Sequence, residues 1–193
     1  MPTKPAAEAM DAAIERVLRL PIIPTLHWMG RPYASKPAAA LLAVTAWTES
    51  RCRARDQLER DGNPGNPGPA YSMYQIELPT FRKMLDGGSE DFAPLRPMLA
   101  TWGLEWLLER NSGMLLTCSE VGATIAARGL YWSDYWSARR ALPSFDPAAA
   151  EAAAAYYLGT WRPAQSNRAR ARAEVREAWP VAVELVEQLW GAY

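Results

Sequence analysis

Apolar residues recur at helical spacing along almost the whole chain. Met10, Ile14, Val17 and Leu18 fall at i, i+4, i+7 and i+8, one face of a helix predicted over residues 4–20 and ended by Pro21 and Pro24. A loop is predicted from there through Pro32. Ser35 is placed to cap a second helix that tolerates Pro37 in its first turn and runs to Ser50 or Arg51. Its run 38–47 is the densest apolar stretch, shorter than the ~18–20 residues of a membrane span, and reads as a buried helix. Residues 61–69, DGNPGNPGP, can only be a turn-rich loop. A short extended segment over 70–76 and a helix over about 80–85, stopped by Gly87-Gly88, complete the first half.

The second half keeps the same period. Residues 94–110 read as one or two helices broken near Gly103, and 113–130 as a longer helix carrying Leu116, Val121, Ile125 and Leu130. The stretch YWSDYWSARRALPSF, 131–145, reads as an irregular aromatic loop. Asp146-Pro147 is an N-cap and first-turn pair for an Ala-rich helix ending at Leu158-Gly159, and 167–190 is a charged amphipathic helix with a kink expected at Pro180. No repeat or long linker divides the chain. The expected fold is all-α, with at most a small β-hairpin near 70–76, in a single domain spanning 1–193.

Composition narrows the chemistry. The 193 residues carry 21 basic and 21 acidic side chains, and this zero formal charge lacks the basic footprint of a nucleic-acid binder. One histidine, His27, leaves no HExxH helix and no His-rich metal cage, so no metal or other cofactor is expected; His27 itself reads as structural. Cys52 and Cys118 are too far apart for a CxxC pair and read as free buried thiols. Glu8, Asp11 and Glu15 stand where a secretory signal would need an apolar run, so the expectation is a protein made in a cytoplasm without a signal peptide. Carboxylates are then the expected source of any acid–base chemistry.

Glu49 stands out among them. It lies near the end of the apolar helix LLAVTAWTES, with Leu42, Thr45 and Ala46 at i−7, i−4 and i−3, so its face is the apolar one. A helix C-terminus carries partial negative charge, which disfavours a carboxylate there by ~0.3–1 kcal/mol. Burial and the dipole both favour the protonated form, as a general acid requires. The plain alternative is a solvated last-turn Glu compensated by Arg51, Arg53 or Arg55.

Three motifs then follow in order. Glu49-Ser50 closes an apolar helix; Ser72-Met73-Tyr74-Gln75-Ile76-Glu77-Leu78-Pro79-Thr80 resembles a Gly-aliphatic-Met-Gln turn before a Pro-Thr helix start; Ala155-Tyr156-Tyr157-Leu158-Gly159 resembles an Ala-Tyr-Asn-Ala-Gly helix end. In these, over roughly residues 38–165, the sequence resembles the SLT-type lytic transglycosylases of the lysozyme-like superfamily. GPAYSMYQIE and YYLGTWRP look most like the phage-encoded branch. The chain departs from the pattern at Ser72, where the family has Gly, and at Tyr157, where it has Asn. The resemblance implies a lysozyme-like catalytic core over 35–165, an N-terminal helical extension over 1–34 and a C-terminal helix over 166–193.

The chemistry it implies is cleavage of the β-1,4 bond between N-acetylmuramic acid and N-acetylglucosamine, with a 1,6-anhydro product. Glu49 is the implied catalytic acid and then base. Ser50, Ser72, Met73, Gln75 and Tyr156 are the implied substrate-binding residues, Gln75 and Tyr156 positioning the sugar or orienting Glu49 and Met73 lining the cleft. The competing chemistry is hydrolysis with a second acid, for which Asp56, Asp61 and Glu77 are the nearby choices. Tyr71, Tyr74, Tyr131, Trp132, Tyr135, Trp136 and Trp161 are candidate stacking platforms for sugar faces, and Trp47, Trp102, Trp106, Trp179 and Trp190 read as core. The basic run 168–176 reads as a solvated helix face.

The resemblance makes peptidoglycan glycan strands the expected partner, with phage tail or ejection proteins as a second class. Housekeeping enzymes of this kind need export, so a phage protein carried in the virion and acting at the bacterial wall during genome entry fits the expected lack of a signal. An endolysin acting by hydrolysis at lysis, and a catalytically silent virion protein of the same fold, are the alternatives. The zero net charge gives no electrostatic attraction to an anionic wall and leans toward delivery by an assembly.

Overall fold

Helix α1 (Lys4–Val17) buries Met10, Ile14 and Val17, the stripe its spacing predicts. The structure, a computed structural model, describes residues 4–53, 70–86, 99–101, 103, 115–132, 141–161 and 163–193. Pro21 does not end the first helical segment. A single π-turn, Leu18–Ile22, leads directly into α2 (Ile23–Met29), and the Ile23 N–H bonds the Leu18 carbonyl. The wider turn accommodates a ring that would clash with the i−4 carbonyl of an α-helix, and Pro24 falls in a first turn, where its missing N–H is not needed. The predicted loop therefore shrinks to residues 30–35.

Ser35 caps α3 (Lys36–Ser50), its Oγ accepting from the Ala38 N–H at 3.3 Å. Every residue from Ala38 to Ala46 is buried, so α3 has no solvated face and forms the centre of the fold. Of its two buried hydroxyls, Thr45 Oγ1 donates to the Leu41 carbonyl at 2.7 Å and meets the Tyr131 hydroxyl at 2.5 Å, whereas Thr48 Oγ1 has no hydrogen-bond partner among the described residues. Strands β1 (Ala70–Tyr71) and β2 (Ile76–Glu77) pair antiparallel, Ala70 opposite Glu77, and make the small hairpin that the sequence predicts. α4 (Leu78–Asp86) starts earlier than expected because Pro79 fits a first turn.

The helix expected over 113–130 is interrupted. Residues 115–118 make one turn, and Ser119 recaps the chain through its Oγ, 2.9 Å from the Gly122 N–H, to start α5 (Glu120–Trp132). α5 runs on through Tyr131 and Trp132, which the sequence reading assigned to a loop. It also carries a fully buried arginine: Arg128 Nε donates to the Tyr33 carbonyl at 2.8 Å, and its guanidinium lies 5.1 Å from the Trp132 ring centre. Burial lowers its pKa to about 10.

Asp146 accepts from the Ala148 N–H at 2.8 Å and opens the turn that leads into α6 (Ala150–Thr160). α7 (Arg168–Leu189) continues through Pro180 as one helix. The Arg176 carbonyl left without an N–H there belongs to an exposed residue, where water can serve it. α7 packs along both α3 and α6, and this three-helix seam holds the candidate site. Among the described residues the fold is all-α with one two-stranded ribbon. Among the described residues no helix is long and apolar enough to cross a membrane.

Candidate functional site

The site begins with how α3 ends. Arg51 takes a left-handed conformation, φ +58°, and closes a double-bonded cap: its N–H bonds the Trp47 carbonyl at 2.8 Å, and the Cys52 N–H bonds the Ala46 carbonyl at 3.0 Å. The reversal leaves Glu49 in the last turn and sends Arg51 elsewhere. The Arg51 guanidinium lies 4.8 Å from the Trp47 ring centre and pairs with Glu174 of α7. Compensation of Glu49 by Arg51, the plain alternative, does not occur, and Arg53 is exposed. Arg55 lies outside the described residues.

Glu49 is half-buried and accepts a hydrogen bond on Oε1 from the Tyr157 hydroxyl of α6. Burial lifts its carboxyl from an ordinary 4.5 to about 7. The Tyr157 hydrogen bond opposes that rise, the Glu174 charge adds to it, and the Arg170 charge opposes it. Tyr157 is the donor to the Glu49 carboxylate, because burial, the Glu49 charge and the bond itself push its phenol far above its usual range. A carboxyl poised near neutrality can give a proton and take one back, which is what an acid–base residue must do.

The hairpin approaches this helix end. Ser50 Oγ donates to the Met73 carbonyl at 2.8 Å, and Trp161 Nε1 donates to the Tyr74 carbonyl at 3.1 Å. With Tyr157 on Glu49, the first motif bonds both the second and the third, and Trp161, two residues past the third, bonds the second. Within the turn, Ser72 sits at φ +70° and Gln75 at φ +50°. Ser72 thus occupies the left-handed region that glycine adopts freely and other residues adopt at a cost. Here the strain is offset locally: Ser72 Oγ accepts from the Tyr74 N–H at 3.2 Å, and Gln75 Nε2 donates to the Ser72 carbonyl at 2.8 Å. Met73 is buried and lines a small pocket with Cys52, Arg53, Ser72, Leu116 and Glu120.

The other expected residues separate clearly. Tyr156 is buried, its hydroxyl 3.4 Å from the Tyr131 carbonyl, while its neighbour Tyr157 holds Glu49. Tyr74 and Tyr131, expected as stacking platforms, are core: the Tyr74 hydroxyl meets Thr124 Oγ1 at 3.2 Å, and Tyr131 bonds Thr45. Trp132 packs on Tyr33 at 5.3 Å between ring centres. Tyr71 and Trp161 keep partial exposure. Of the expected core tryptophans, Trp179 is fully buried, whereas Trp47 and Trp190 are half-buried. His27 is exposed and lies against Trp190, 4.5 Å between ring centres. Both cysteines are free, but Cys118 is exposed. Burial pushes the Cys52 thiol up to about 12, which removes it as a nucleophile at neutral pH. Glu77 is exposed on β2; Asp56, Asp61, Trp102, Trp106, Tyr135 and Trp136 lie outside the described residues.

Two residues of the site escaped the sequence reading. Tyr157 differs from Tyr156 by one helical step, and both are buried, so apolar spacing cannot choose between them. Glu174 did leave a signal: it lies three residues after Ala171 and four before Ala178, on the stripe that α7 buries. No family model matches this chain, and no curated protein and no solved structure matches it either.

Tyr157→Phe removes the strongest influence that favours the Glu49 carboxylate. Its titration midpoint is expected to rise above about 7, read from the carboxyl carbon by 13C NMR. A fall would contradict the assigned bond.

Proposed function

We propose that this protein is a phage-encoded peptidoglycan lytic transglycosylase with a lysozyme-like core, carried in the virion and opening the wall during genome entry. The observation that supports it is the convergence of three sequence-distant segments on a half-buried carboxyl whose pKa is about 7. The likeness of the same three segments to the phage-encoded branch supplies the reaction.

Glu49 donates its proton to the glycosidic oxygen, and the bond to C1 of N-acetylmuramic acid breaks, releasing the N-acetylglucosamine side as an alcohol. The acetamido oxygen of the substrate stabilises the positive centre at C1. Glu49, now a carboxylate, removes the proton from the C6 hydroxyl as that oxygen closes on C1. The product is a 1,6-anhydro ring, and no water is consumed. The Tyr157 hydroxyl steadies the carboxylate between the two proton transfers. Ser50 ties the acid's helix to the hairpin, and Gln75 braces the turn that faces it.

A silent virion protein of the same fold is the second reading. It is favoured by the burial of Tyr74 and Tyr131, which thins the set of glycan-facing rings. Mass analysis of muropeptides from purified cell wall separates the readings. Anhydro ends are the expected result; reducing ends would mean a hydrolase, and intact strands would mean the silent protein.

A further inference from the structure

Arg51 is the nearest cation to Glu49 along the chain, two residues away, yet it is paired with Glu174. Glu174 comes from α7, outside the core that the family resemblance covers. It also binds Arg170, Nε to Oε1 3.5 Å, and only its Oε1 is engaged in these pairs. Its Oε2 is buried and has no hydrogen-bond partner among the described residues. The carboxylate therefore stays close enough for its charge to act on both Glu49 and Tyr157. The groups facing Glu49 are Tyr157 from α6, Glu174 and Arg170 from α7, and the Tyr131 phenol of α5 behind Thr45.

We propose that Glu174 is a positioning residue of the Glu49 site: it engages Arg51 and so keeps that guanidinium from Glu49, and its own charge offsets that of Arg170. The inference rests on the reading of Glu49 as the proton donor. An arginine beside Glu49 would hold it as a carboxylate and end its service as an acid. Glu174 acts twice in the opposite sense, by taking the arginine and by setting a negative charge near the carboxyl. The C-terminal helix is then part of the acid–base machinery and not a separate appendage.

The test is a 13C titration of the Glu49 carboxyl in the full chain, its resonance assigned from the spectrum of Glu49→Gln. In Glu174→Gln the midpoint is expected to fall from about 7 by roughly one unit or more. The alkaline limb of the activity profile should follow, with roughly fivefold less activity at pH 7. Adding Arg51→Gln to that variant should recover much of the fall. Arg170→Gln, at an exposed guanidinium where folding is not at risk, should move the midpoint the other way, upward. A midpoint that stays in place or rises in Glu174→Gln overturns the proposal, as does one that stays in place or falls in Arg170→Gln. So does loss of activity at every pH with an unmoved midpoint, which would make Glu174 a catalytic acid. The titration needs no turnover: midpoints that move as stated in a protein that releases no anhydro ends would support this role while removing the transglycosylase reading.

Discussion

Glu49→Gln is expected to abolish release of anhydro-muropeptides and, at the same time, to stabilise the fold above neutral pH. The loss of activity follows from removing the group that carries out both proton transfers of the proposed reaction; general acid–base contributions of this kind are worth ~10²–10⁴ in rate. The gain in stability follows from the raised pKa. Below 4.5 the carboxyl is neutral in folded and unfolded chains alike and costs nothing. As pH climbs from 4.5 to about 7, the unfolded chain ionises first, and the folded state falls behind until both are ionised. Full linkage would make this roughly 3 kcal/mol, reduced by the water that reaches a half-buried carboxyl. Gln keeps an oxygen for the Tyr157 hydroxyl and carries no charge. Urea unfolding of both proteins at pH 4 and pH 8 measures the effect: the gap should be near zero at the first and about 1–3 kcal/mol in favour of the variant at the second. A variant less stable than the parent at pH 8 would contradict the burial of Glu49.

Trp179→Ala is expected to have the largest effect on stability, a loss of ~3–5 kcal/mol. Trp179 is fully buried on α7, and its Nε1 donates to the Asp146 carbonyl at 2.8 Å. The substitution empties the space of an indole and leaves that carbonyl without its donor. Asp146 opens the turn into α6, and α6 carries Tyr157, so the damage reaches the site as well. Trp179→Phe keeps most of the volume and should cost about 1–2 kcal/mol, chiefly the lost hydrogen bond. Chemical denaturation reads both; equal losses in the two variants would mean that packing around Trp179 contributes little.

Much of the architecture could be read without coordinates, because it rests on local physics. Ser35 and Asp146 cap helices through their own side chains, and residues 72–75 turn between two short strands. Glu49 declared itself by standing on an apolar stripe at a helix end. The errors were local as well. Pro21 reads as a helix stop only if the helix must be α, and Ser119 reads as an ordinary helical residue until its hydroxyl is seen capping the next turn. Tyr74 and Tyr131 looked like loop aromatics because their partners, Thr124 and Thr45, lie 50 and 86 residues away.

Periodicity along the chain marks most of the buried apolar stripes and where most helices start, since both depend on neighbours within a few residues. It did not settle what each buried group meets. That Tyr157 and not Tyr156 reaches Glu49 depends on the rotation of α6 against α3, and both tyrosines lie in the core. That Arg51 turns from Glu49 to Glu174 depends on a left-handed cap and on a helix 123 residues further along the chain. The acid was visible in the sequence; the charges and the hydroxyl that set its proton affinity meet only when α3, α6 and α7 pack together. Electrostatic coupling follows distance in space, which linear spacing does not encode.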